Sequence, residues 1–176
     1  MDNDITKEQL VKELDSSFLK LAVEDMKRAL DANANLAVFI LGACFIEALA
    51  GFYFGQEYKD DRKNYPKSGE RFKGFVKKYL KQYNLNDLWR SLRCGLVHSY
   101  VVDGNYAFTN KKKNQHLKPT PNRKLKIVND ENFYDDLNNA YEKFKKDILA
   151  DPKIFEKAKK RYNSLKIMKI DLIRKS

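Results

Sequence analysis

The sequence predicts a mainly α-helical protein: an antiparallel helical bundle with a small β-hairpin insert after the fourth helix, all in one domain spanning residues 1–176. Three observations carry that reading. Apolar residues recur every three or four positions through most of the chain, the period of a helix with one buried face. A nearly unbroken apolar run, Leu36 to Phe54, has to be covered on all sides. Only the stretch at about 99–128 changes to β-rich and turn-rich composition. A length of 176 residues suits a single hydrophobic core.

Taken in order, Ile5 to about Asn33 places Leu10, Leu14, Phe18, Leu21, Ala22, Met26, Ala29 and Leu30 at helical spacing, with Asp15 and Ser16 able to divide it into two helices. Asn33-Ala34-Asn35 is a turn in which asparagine caps the next helix, and that helix ends near Gly55. Residues 56–68 are charged, contain Pro66 and lack a period, as a loop does. Gly69 to Tyr83 resumes a helix with Phe72, Phe75, Val76, Tyr79 and Leu80 inward. Asn86 then caps a fourth helix bearing Leu88, Trp89, Leu92, Leu96 and Val97.

Beyond His98, Tyr100-Val101-Val102 and Asn105 to Thr109 flank an Asp103-Gly104 pair, which reads as a hairpin. Lys124 to Val128 adds a third short strand, and Asn110 to Arg123 is a basic loop that projects from the fold. Glu131 to Ala150 is a helix with Phe133, Leu137, Tyr141, Phe144 and Ile148 inward, and Pro152 opens a last basic helix running to about Arg174.

Composition narrows the function. Thirty-five Lys and Arg against 24 Asp and Glu give a net charge of +11, which favours polyanionic partners, nucleic acid first and an anionic membrane surface second. Two cysteines, Cys44 and Cys94, make neither a disulfide framework nor a zinc site and fit a reducing, cytoplasmic setting. Met1 to Glu13 is polar and acidic, so no secretory leader is expected there. Leu36 to Phe54 approaches the roughly 20 residues of a membrane span. Glu47 in its middle would cost on the order of 3 kcal/mol in a bilayer, so a buried core helix is expected and no membrane partner.

No glycine-rich phosphate loop is present, and two histidines, His98 and His116, are too few for a multi-histidine metal centre, so neither a metal nor another cofactor is expected. What remains is Arg93 and His98. A guanidinium grips phosphate oxygens in a fork, and an imidazole moves protons near neutral pH, a pair suited to attack by an RNA 2′-hydroxyl on its own phosphodiester. One histidine cannot serve as base and acid at once, whereas two copies across a symmetric dimer supply both. Spacing is the obstacle. Five residues at about 100° each leave the two side chains about 140° apart on an ideal α-helix, so Gly95, or a helix ending at Val97, has to bring them round.

Arg93-Cys94-Gly95-Leu96-Val97-His98 resembles the Arg-x4-6-His motif of the HEPN superfamily, with an apolar second helix and a basic chain as matching context over roughly residues 17 to 150. The resemblance implies a helical bundle acting as a metal-independent endoribonuclease. In such enzymes Arg and His from two protomers form one site that leaves a cyclic phosphate. It also implies a toxin or phage and plasmid defence role, with an antitoxin or other regulator as a further partner. Its alternative is a catalytically inactive HEPN-like RNA-binding or scaffold protein. This chain has Cys94 where the family often has Asn, Asp or His after the arginine.

The supporting candidates follow. Glu47, alone in an apolar helix, needs a partner, with Arg93 or Arg90 the natural choices. Ser99 and Tyr100 stand beside His98 at the start of the expected strand, within reach of phosphate or base. Arg90, Lys111, Lys112, Lys113 and Arg123, with His116 and Lys118 near them, form a candidate nucleic-acid surface, on which Tyr106 and Phe108 offer rings for base stacking.

Overall fold

Local chemistry sets the helix boundaries in the structure, a computed structural model that describes residues 5–16, 18–57, 66–111 and 113–165. Thr6 opens α1 (Lys7–Asp15) with a capping box: its hydroxyl accepts from the Gln9 N–H at 3.2 Å, and the Gln9 side chain accepts from the Thr6 N–H at 2.8 Å. Ser16 caps the end of α1, and a separate helix follows as α2 (Phe18–Asp31). The second helix keeps its own phase. The division into two helices falls at Asp15 and Ser16, as the sequence allowed, but the buried face of α2 is Leu19, Val23 and Met26, while Leu21, Ala22, Ala29 and Leu30 are only partly covered.

Asn33 takes the left-handed conformation (φ 55°) at the next turn. No asparagine caps α3 (Asn35–Phe54), however; its cap residue is Ala34, without a side-chain hydrogen bond. Gly55, at φ 70°, ends α3. α4 (Ser68–Tyr79) begins where the Glu70 carboxylate accepts from the Lys67 N–H at 2.9 Å. The following helical stretch is capped by Asn84, not Asn86: the Asn84 side chain accepts from the N–H groups of Asn86 and Asp87, both at 3.0 Å. It consists of α5 (Leu85–Leu88), a π-helical segment (Trp89–Leu96) and α6 (Val97–Ser99). Asn129 caps α7 (Asp130–Ala150) and Asp151, followed by Pro152, caps α8 (Pro152–Ser164). The expected continuation to Arg174 lies outside the described residues.

The fold is mainly α, with α3 at its centre. α3 packs against α2, α4, α7, α8 and the π-helical segment. By length and composition α3 is apolar enough to cross a membrane; here Val38, Phe39, Ala43, Phe45, Ile46, Leu49, Ala50 and Phe52 are buried against neighbouring helices. Tyr53, Phe75, Tyr79 and Phe144 form a ring cluster joining α3, α4 and α7 through edge contacts, with Phe75 and Phe144 5.9 Å apart. The inward residues expected on α4 and α7 are all buried.

The β-insert differs from expectation. β1 (Tyr106–Thr109) and β2 (Lys126–Asn129) pair in parallel, Tyr106 opposite Lys126 and Thr109 opposite Asn129, with no strand at Tyr100–Val102. Asp103-Gly104 fails to make a hairpin because both residues are held against the helix before them. Asp103 takes a salt bridge from Arg90 at 3.0 Å, Asn105 donates to Asp87 at 2.9 Å, and Gly104, at φ 122°, sits so close to Ser91 that a Cβ would collide with its hydroxyl. The basic loop does not project either. Leu117 donates to Ile127 at 2.7 Å, Ile127 to Lys118 at 2.9 Å and Thr120 to Leu125 at 2.8 Å, so the loop turns back along β2.

His116 anchors that loop. Its Nδ1 accepts from the Asn129 N–H at 3.1 Å, which leaves the Nε2 proton to face the Asp136 carboxylate at 3.2 Å, where the Tyr83 hydroxyl also donates at 2.7 Å. Burial would raise the Asp136 pKa, but the hydrogen bonds from His116, Tyr83 and Gln82 outweigh it and hold the carboxyl below its ordinary value. Its contribution to stability is therefore present above the unfolded-state value and lost as pH falls through the depressed folded one. His116→Ala is expected to lower stability by about 1–3 kcal/mol, because it strands the Asn129 N–H; the midpoint of urea unfolding measures this.

Candidate functional site

Three helical elements distant in sequence meet at Glu47, Arg93 and Ser68. Glu47 faces out of the middle of α3, Arg93 lies in the π-helical segment, and Ser68 is the first residue of α4. The Arg93 Nε donates to Glu47 Oε2 at 2.5 Å and the Ser68 hydroxyl donates to Glu47 Oε1 at 2.5 Å, so both carboxylate oxygens are occupied. Arg93 and Glu47 side chains are 20% and 27% exposed, half-buried enough that the pair holds one geometry. Arg90, the other partner weighed for Glu47, bonds Asp103 instead and remains exposed.

The π-helical segment solves the spacing problem. Its i→i+5 hydrogen bonds, such as Val97 N–H to the Leu92 carbonyl, add about one residue to each turn, so five residues complete roughly one turn. Arg93 and His98 therefore share a face, and the Arg93 Nη1 contacts His98 Nε2 directly. A guanidinium N–H can only donate, so Nε2 is the acceptor and the neutral ring carries its proton on Nδ1. His98 is exposed, with its contact edge fixed by Arg93 and the remainder open to a ligand.

Gly95 makes this arrangement possible through a close approach. After Ser99 the chain turns at Tyr100, in the left-handed conformation (φ 53°, ψ 24°), and doubles back so that Val101 N–H points to the Gly95 carbonyl at 3.4 Å. A Cβ on Gly95 would meet the Val101 carbonyl and the backbone N–H of Asp103. Ser99 and Tyr100 thus close a helix where the start of a strand was expected. Both are exposed, as are Val101 and Val102, leaving an apolar surface beside His98.

The rest of the predicted nucleic-acid surface lies elsewhere. Lys113 pairs with Glu131 at 2.5 Å and, with Asn35 and Asn110, lines a polar cleft at the start of α3. Asn35 is twelve residues before Glu47, about 18 Å along the helix. Lys111 is exposed next to that cleft, Arg123 is exposed in the turn before β2, and Lys112 lies outside the described residues. Tyr106 and Phe108 do not offer stacking faces. Tyr106 is 1% exposed with its hydroxyl accepting from the Asn84 N–H at 2.8 Å, and the Phe108 ring lies 4.5 Å from Phe39.

Both cysteines are free and exposed. Protein packed around the Cys44 thiol, one turn before Glu47, pushes its pKa up while Arg93 opposes the shift, which makes it a poor nucleophile. Among the described residues no group of three or more His, Cys, Asp and Glu side chains is placed to hold a metal ion. Ser68 escaped the sequence reading. The one signal for it was that Glu47 has two oxygens and needs more than one donor. Compared with known proteins, the chain matches no family model, no curated protein and no solved structure.

Proposed function

We propose that the chain is a metal-independent endoribonuclease of HEPN type, an antiparallel bundle acting as a cytoplasmic homodimer, in a toxin or defence role. The observation that carries this reading is the contact of Arg93 with His98 on one face of a π-helical turn, backed by Glu47. Arg93 holds the non-bridging oxygens of the scissile phosphate. As the Arg93 Nη1 moves from His98 onto the phosphate, the freed Nε2 lone pair of His98 takes the proton of the ribose 2′-hydroxyl, whose oxygen attacks phosphorus as the bond to the 5′-oxygen breaks. His98 of the partner subunit gives a proton to that leaving oxygen, and the products are a 2′,3′-cyclic phosphate and a 5′-hydroxyl. The exposed run Tyr100-Val101-Val102 beside His98 supports a second copy at this face, since contiguous exposed apolar surface marks interaction sites.

The test is direct. Purified protein incubated with single-stranded RNA in EDTA is expected to produce fragments ending in cyclic phosphate, and to sediment as a dimer at micromolar concentration. RNA that is bound but left intact favours the non-catalytic RNA-binding reading, and a monomer removes the composite site.

A further inference from the structure

A second arginine stands at this site without any part in the motif. Arg71 is on α4 one turn after Ser68, and residues three apart on a helix share a face. Ser68 touches Glu47, so that face of α4 is turned to the carboxylate. α4 is held there by its neighbours: Phe72 packs edge-on to Trp89 with centroids 5.2 Å apart, and Gly69 approaches the same indole so closely that a Cβ would lie 3.1 Å from it. Trp89 opens the π-helical segment that carries Arg93. Arg71 itself is partly covered and donates through Nη1 to the Pro66 carbonyl, which ties down one arm of the guanidinium. Burial pulls its pKa down from the ordinary value and Glu47 pulls it up, as expected for a cation close to that carboxylate.

Charge then decides the matter. Glu47 is the carboxylate whose field Arg71 feels, and both of its oxygens already accept from Arg93 and Ser68, so Arg71 has no ion pair with it. The half-buried cluster carries one positive charge more than its acid can neutralise, before His98 is counted. An uncompensated charge away from water is costly, and an anion from outside relieves it. Arg93 spends Nε on Glu47 and one Nη on His98, so it faces a phosphate with few free donors. Arg71 keeps its outer N–H groups, since among the described residues its hydrogen bond is the one to Pro66.

We propose that Arg71 is a second anion-binding residue of this cleft, holding a phosphate of the RNA chain beside the one that Arg93 engages. This rests on the ribonuclease reading for the identity of the anion. Arg71 is a binding residue in this scheme, so its loss falls on affinity more than on the chemical step.

The experiment uses the full chain carrying His98→Ala, expected to cut RNA too slowly to disturb a binding measurement, with and without Arg71→Gln. Fluorescence anisotropy with a labelled single-stranded oligonucleotide is followed across a salt series. Removing one phosphate contact is expected to weaken binding by roughly tenfold at low salt and to reduce the salt slope by about one, while Arg71→Lys recovers part of both. Unchanged affinity and slope in Arg71→Gln overturn the assignment. So does a loss of thermal stability in both Arg71 variants with an unchanged slope, because that is the signature of a counter-ion for Glu47 alone. In the His98-intact background, Arg71→Gln is expected to raise KM with kcat nearly preserved. Wild-type protein that binds RNA in an Arg71-dependent way yet never cleaves it defeats the nuclease reading and leaves Arg71 as an RNA contact.

Discussion

His98→Ala is expected to slow RNA cleavage by about 10²–10⁴-fold, the usual loss when a positioned general acid or base is removed. The fold is expected to survive, because His98 is exposed and its side-chain contact is with Arg93 on the same helical stretch; exposed substitutions of this kind change stability by no more than about 0.5 kcal/mol. Initial rates on a defined oligonucleotide, with the melting curve as control, measure both. Arg93→Ala is a less clean probe. It removes the guanidinium and also leaves the Glu47 carboxylate, 27% exposed, with only the Ser68 hydroxyl among the pairings described above, so activity and stability fall together. Equal cleavage by His98→Ala and wild type would leave the motif without a catalytic role.

Gly95→Ala tests the geometry behind the motif. In an ordinary helix interior alanine is favoured over glycine by about 1 kcal/mol. At Gly95 the new methyl meets backbone, the Val101 carbonyl and the Asp103 N–H, which cannot rotate away as a side-chain end does. Overpacking of this kind costs about 1–3 kcal/mol, so a net loss of stability is expected in spite of the better helix former. Relief of the contact pushes 100–104 away from the π-helical segment, and His98 is only two residues before Tyr100. Cleavage is therefore expected to fall by more than tenfold although no side chain of the site has changed. A variant more stable than wild type, with full activity, would show that the close approach is dispensable.

Periodicity made the helices legible. Phe72, Phe75, Val76 and Tyr79 on α4, and Phe133, Leu137, Tyr141, Phe144 and Ile148 on α7, follow the apolar spacing and are buried as that spacing requires. Capping was less readable where two asparagines stood near one boundary, as at 33–35 and 84–86, and the choice of Asn84 over Asn86 depends on which backbone N–H groups a side chain reaches. The Asp103-Gly104 pair carries a strong local turn signal, but a salt bridge to Arg90 and the packing of Gly104 on Ser91 outweigh it. The parallel partner of β1 lies after a crossover of sixteen residues (110–125), a pairing that local sequence does not specify.

By itself the sequence determined a helical protein built round Leu36 to Phe54, a Glu47 in need of cationic partners, and an Arg93–His98 pair of the right chemistry. It could not place that pair on one face, since five residues on an ordinary α-helix point in different directions. Tertiary structure decided this: the chain folding back over Gly95 accompanies i→i+5 hydrogen bonding in Trp89–Leu96, and the wider turn aligns Arg93 with His98. It also chose Arg93 over Arg90 for Glu47 and brought Ser68 to the same carboxylate from another helix, with Arg71 one turn further along that helix. Those contacts depend on how helices pack, and packing is a property of the whole core that no short motif contains.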